Sequence, residues 1–133
     1  MLAPTAGEGR MSKLSAWLAI AVGLMVAVAQ IVRNYDNWEN WPSWMVDEAA
    51  AAILVAAGVA ALRKRTTRFL PVGWSFAAGL YISALINHAH ILSLSTGAHH
   101  AAELRIVMIV AGLLAVSLVG LGLVLLDRTN RTS

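Results

Sequence analysis

FLPVGWSFAAGLYISALINHAHIL, residues 69–92, contains no Asp, Glu, Lys or Arg. A helix over this stretch rises about 36 Å at ~1.5 Å per residue, enough to cross the ~30 Å hydrocarbon core of a bilayer. Working outward, comparable apolar stretches occupy about 14–32, 44–62 and 104–126. The fold expected is therefore all-α: an integral membrane protein built as a four-transmembrane-helix bundle. Its helices are expected at about 11–33, 44–63, 69–93 and 103–127, within a single membrane domain, 1–133. The first ten residues, with Pro4, Gly7 and Gly9, read as a flexible leader or an over-extended start, since Met11 opens a second plausible beginning. The run after Lys13 is long for a signal-peptide core, and no small-x-small cleavage site leads into a soluble domain. The first span is therefore read as a retained helix.

Composition agrees. Mean hydropathy is +0.69, and 59% of the 133 residues are hydrophobic against 13% charged, too little charge for a soluble domain of this size. The pI near 10 is no sign of nucleic acid binding, because the basic residues flank the spans. Eight of the ten, Arg10, Lys13, Arg63, Lys64, Arg65, Arg68, Arg128 and Arg131, lie at the two termini or in the 63–68 loop. With four spans those segments share one side, and the positive-inside rule makes it cytoplasmic, so both termini are cytoplasmic. Loops 33–46 and 93–103 then lie on the outer side, and the expected location is the bacterial inner (plasma) membrane. A charge bias this strong argues against dual topology. Cysteine is absent, which removes disulfides, thiolate metal sites and cysteine nucleophiles.

Small residues recur at helical spacing: Ala16, Ala19, Gly23 and Ala27, ending in Gln30, on the first span; Ala52, Ala56 and Ala60, with Gly58 nearby, on the second; Ala111, Ala115 and Gly122 on the fourth. Such rows let membrane helices approach closely. The third span carries a small-to-polar stripe instead: Ser75, Gly79, Ser83, Asn87, His90 and Ser93. Polar groups are costly in lipid, so the stripe must face the bundle interior or a partner subunit. Inside the bundle, Asn87 or His90 would pair with Gln30, or the stripe would line a small cavity opening outward.

Trp38, Trp41 and Trp44 precede the second span, where an aromatic belt at the headgroups accounts for them; a lid over an outer pocket is the alternative. Asp47 and Glu48 are expected in the first turn of that helix, where the helix dipole favours carboxylates. All four histidines, His88, His90, His99 and His100, fall within thirteen residues at the outer end. His99 and Glu103 are four apart, and His100 and Glu103 three apart, so either pair can meet on a helix. With Asp47 and Glu48 they form a candidate imidazole–carboxylate metal or ligand set. His99 and His100 also fit a solvated helix start capped by Ser95 or Thr96. No metalloprotease, phosphate-loop or nucleophile-elbow motif is present, and no cofactor is specified.

Three functions compete. The first is a non-catalytic accessory or interaction subunit of a membrane complex, with other membrane subunits or copies of itself as partners. If it is right, the bundle's outside should carry a small-residue face unused within it. The second is a ligand- or metal-binding protein using the outer polar end. The third is a small enzyme on a lipidic substrate, with His88 or His90 as acid–base and Asp47 or Glu48 as partner.

Overall fold

The computed structural model describes residues 8–36, 39, 41–63 and 66–132; of Glu8, Trp41, Ser43, Arg131 and Thr132 it describes the backbone alone. Four helices follow in order: α1 (Glu8–Asn34), α2 (Trp41–Arg63), α3 (Leu70–Leu94) and α4 (Gly97–Thr132). All four are long and apolar enough to span a membrane. Each packs on its neighbours in sequence, and α4 closes the ring on α1, while α1 and α3 touch only slightly across the diagonal. The contacts are most extensive within the α1–α2 and α3–α4 hairpins. Up-and-down connectivity puts both termini and the α2–α3 connection at one end, the terminal end. The α1–α2 and α3–α4 connections lie at the other, the histidine end.

The helices run beyond the expected spans. α1 starts at Glu8, so Gly9 and Arg10 are helical; Pro4 and Gly7 lie outside the described residues. α2 starts at Trp41, which puts Asp47 and Glu48 in its second turn rather than its first. Pro71 opens α3, where its missing N–H costs nothing. At the far end Ser95 caps α3 in an extended conformation, its N–H donating to the Leu92 carbonyl (3.2 Å). Gly97 then turns at φ +65°, and α4 begins there rather than at 103. The expected 93–103 loop is thus reduced to Ser95 and Thr96, and His99 and His100 ride on the first turn of α4.

Leu14, Leu24, Val28, Val72, Ile86, Met108, Ile109 and Val119 are exposed at the bundle surface. Such a coat would be a liability in water and is the expected contact with acyl chains. In lipid the hydrophobic effect does not drive helices together, so close packing must. Where α1 crosses α2, glycines make that approach possible. A Cβ on Gly23 would stand 2.6 Å from Val55 Cγ2 and 2.8 Å from the Ala51 carbonyl oxygen. One on Gly58 would stand 2.7 Å from the Ala16 carbonyl oxygen. On α1 the expected row is the one that packs: Ala16, Ala19 and Gly23 are buried, and Ala27 and Gln30 half-buried.

On the other helices the rows turn differently. α2 buries Ala50, Ala51, Leu54, Ala57 and Gly58, leaving Ala52 and Ala56 outside. α4 buries Ser117, Gly120 and Val124, leaving Ala111 and Ala115 outside. α3 buries Leu70, Gly73, Trp74, Ala77, Ala78 and Tyr81. Its polar stripe lies on the opposite side: Ser75, Gly79, Ser83, Asn87, His90 and Ser93 are all exposed. The bulky indole of Trp74 decides this rotation, because it needs the space beside Gly120 and points the stripe away.

Candidate functional site

Two polar groupings and one apolar groove are candidates in this fold, and the α3 stripe stands apart from all three.

At the terminal end, Trp74 Nε1 donates to Ser15 Oγ (2.8 Å), and Ser15 Oγ donates to the Gly120 carbonyl (2.9 Å). One hydroxyl thus satisfies a buried indole N–H and a helix carbonyl, joining α1, α3 and α4. A turn away, Ser12 Oγ donates to a buried carboxylate oxygen of Asp127. Arg128 reaches the Thr67 carbonyl of the α2–α3 connection (3.4 Å). None of Ser12, Ser15, Trp74, Gly120 and Asp127 stood out by spacing. The available signal was Trp74 itself, since a tryptophan inside a span must find an acceptor for its N–H.

At the histidine end, Gln30 Nε2 donates to Asp47 Oδ2 (2.9 Å), and Asn34 Nδ2 donates to both oxygens of Gln30, side chain and main chain (2.9 Å each). Arg33 and His88 lie near enough to Asp47 to act on its charge through space. Glu48 is half-buried, and its Oε1 has no hydrogen-bond partner. On the other hairpin His88 Nδ1 lies 3.0 Å from Oε2 of the buried Glu103. The hydrogen bonds described at this end therefore run within a hairpin, α1 to α2 or α3 to α4. Those at the terminal end run between hairpins.

Gln30 pairs with Asp47 and Asn34, not with Asn87 or His90. The α3 stripe points the other way and cannot reach it. Glu103 meets His88 on α3 rather than His99 or His100 on its own helix, which are exposed. His100 Nδ1 lies 3.3 Å from both Oγ and the carbonyl oxygen of Ser95, sealing the short connection. His90 is exposed on the stripe. Among the described residues no three His, Asp or Glu side chains stand close enough to share a metal ion. Trp38 lies outside the described residues, as does the side chain of Trp41; Trp44 is half-buried.

The third grouping is apolar apart from one cation. Leu24, Met25, Val28, Ala29, Val32 and Arg33 line an open groove along the outside of α1. It offers no convergent polar groups of the kind that orient a substrate.

What remains is α3. Its stripe holds hydroxyls, a carboxamide and an imidazole, with Gly79 open: nothing would meet a Cβ there within 4 Å. Ser93 bonds back to the His90 carbonyl (2.6 Å). Among the described residues the side chains of Ser75, Ser83 and Asn87 have no partner. Ser83 stands beside the midpoint of α3, and Asn87 lies roughly 6 Å further along. Both are therefore at hydrocarbon depth. Chemically, the arrangement is suited to hydrogen bonding with another membrane-embedded surface.

Comparison with known proteins finds no matching family model, no similar curated protein and no similar solved structure.

Proposed function

We propose that this chain is a non-catalytic interaction subunit of a membrane complex, docking through the outward face of α3. It would lie in the bacterial inner membrane with its termini on the cytoplasmic side and the histidine end outside. The orientation rests on Arg10, Lys13, Arg63, Arg68 and Arg128, all at the terminal end.

The observation that carries the reading is the unpartnered stripe. A serine can turn its hydroxyl back to its own helix, as Ser117 does to the Leu113 carbonyl (2.8 Å). The two donors and one acceptor of the Asn87 carboxamide cannot all be met that way. Moving an amide from water to an apolar environment without a hydrogen-bond partner costs roughly 2–7 kcal/mol. Its outward direction is supported as functional by the interior, where buried Ser12, Ser15 and Trp74 have found partners. Ala52 and Ala56 on α2, and Ala111 and Ala115 on α4, add further small surfaces unused within the bundle.

Extraction of native membranes in mild detergent, followed by native electrophoresis, tests the reading. The wild-type chain should migrate in a species larger than its own 14.1 kDa plus detergent. Asn87→Leu, which keeps the helix and removes the polar groups, should shift it toward the monomer with helicity unchanged. A wild-type chain that is monomeric in native membranes would refute it.

A further inference from the structure

We propose that the partner of the α3 stripe is α3 of a second copy of this chain, the two related by a two-fold axis along the membrane normal. The proposal rests on the reading of α3 as a docking face and names what docks there.

The first argument is orientation. Copies of a chain with one strongly basic end insert the same way round, so a dimer across the membrane plane pairs α3 with α3 in parallel. Around such an axis each residue near the seam faces its own counterpart, and the seam must be complementary to itself. The α3 face meets that condition in three ways.

Its polar groups are each both donor and acceptor. Hydroxyl can bond hydroxyl at Ser83, and carboxamide can bond carboxamide at Asn87, in reciprocal fashion. An all-donor or all-acceptor face would repel its own image.

α3 also carries no Asp, Glu, Lys or Arg over its whole length, so no permanently charged side chain meets its own image. α1, α2 and α4 all do carry such residues, among them Lys13, Asp47 and Arg105.

Ser75, Gly79 and Ser83 stand at successive four-residue steps, the spacing that lets two backbones approach closely in a membrane. Gly79 is the open point of that row. Close approach is what brings the Asn87 side chains within hydrogen-bonding reach one turn beyond. The order along the helix is therefore a contact region of small side chains followed by a polar clasp.

The absence of cysteine makes the test direct, because single introduced thiols report without background. Ser83→Cys and Asn87→Cys probe the stripe. Leu24→Cys on α1 and Val119→Cys on α4 probe exposed positions elsewhere. Each is oxidised in native membranes with copper phenanthroline, purified, and analysed by intact mass. The expected result is a disulfide-linked species of twice the chain mass from one or both stripe positions and none from Leu24→Cys or Val119→Cys. Adding Gly79→Leu should abolish it without unfolding the monomer, since nothing in the monomer lies near that position. In detergent, Asn87→Leu should raise the dimer dissociation constant roughly three- to twentyfold, the range for a membrane hydrogen-bonded pair.

Absence of the doubled species at both stripe positions overturns the second copy. Reaction with a lipid-soluble maleimide then separates the causes. Stripe thiols that are protected, or joined to a different polypeptide, leave α3 as a docking face for another protein. Stripe thiols that react as fast as Leu24→Cys remove the docking face as well.

Discussion

Gly120 on α4 lies against the indole of Trp74 on α3 so closely that a Cβ at position 120 would collide with Cδ2, Cε2 and Cζ2 of the ring. The same glycine offers its carbonyl to Ser15, which holds the Trp74 N–H. One backbone position therefore accepts a hydrogen bond and makes room for the largest fully buried side chain among the described residues.

Gly120→Ala should consequently destabilise the bundle by about 1–3 kcal/mol or more, as overpacking does. Gly122→Ala is the matched control, because nothing lies within 4 Å of that position. Helix propensity alone would make both substitutions favourable. Unfolding in mixed micelles with increasing sodium dodecyl sulfate gives the comparison; equal stability of the two variants would contradict the packing described.

Ser15→Ala removes both hydrogen bonds of its hydroxyl. In a double-mutant cycle with Trp74→Phe, the coupling should be about 0.6–2 kcal/mol, since the second substitution finds the bond already gone. Simple additivity would mean that the Trp74–Ser15 contact contributes nothing.

Gly23 and Ala56 carry opposite expectations. Gly23→Leu collides with the Ala51 carbonyl and Val55 on α2, and a backbone atom cannot step aside. It should abolish the folded monomer. Ala56 is on the outside, so Ala56→Leu should leave circular dichroism and monodispersity in detergent unchanged. A folded Gly23→Leu protein would refute the α1–α2 crossing.

Sidedness is open to direct measurement. Thr96→Cys, in the α3–α4 connection, should react in intact cells with a membrane-impermeant maleimide, and Thr129→Cys near the other end should react only after lysis. The reverse pattern would overturn the cytoplasmic placement of the termini.

Four spans, their order and the separation of basic from histidine-bearing ends were legible because each depends on runs of residues. The direction each helix faces was not. In water the apolar side of a helix is its inside; in lipid both sides are apolar, so the Ala52–Ala56 row and the buried Ala50, Ala51, Leu54 and Ala57 look equally suited to packing. The α1 row packs as read, being continuous from Ala16 to Ala27, and for the α3 stripe the interior and a partner subunit were equally open. The Trp74–Ser15–Gly120 contact joins residues far apart in the chain, and no local period signals it. His88 and Glu103 pair because α3 and α4 are joined by a two-residue connection, whereas spacing along one helix favoured His99 or His100. For the stripe, spacing placed Ser83 and Asn87 on one face, and the position of Trp74 decided which way that face looks.

The distribution of hydrogen bonds has a mechanical consequence. Ser12–Asp127, Ser15–Gly120 and Trp74–Ser15 tie one hairpin to the other at the terminal end. Among the hydrogen bonds described at the histidine end, Gln30–Asp47 and His88–Glu103 each stay within one hairpin. The bundle is thus cross-tied between hairpins by hydrogen bonds at its terminal end, whereas those described at the histidine end brace each hairpin internally.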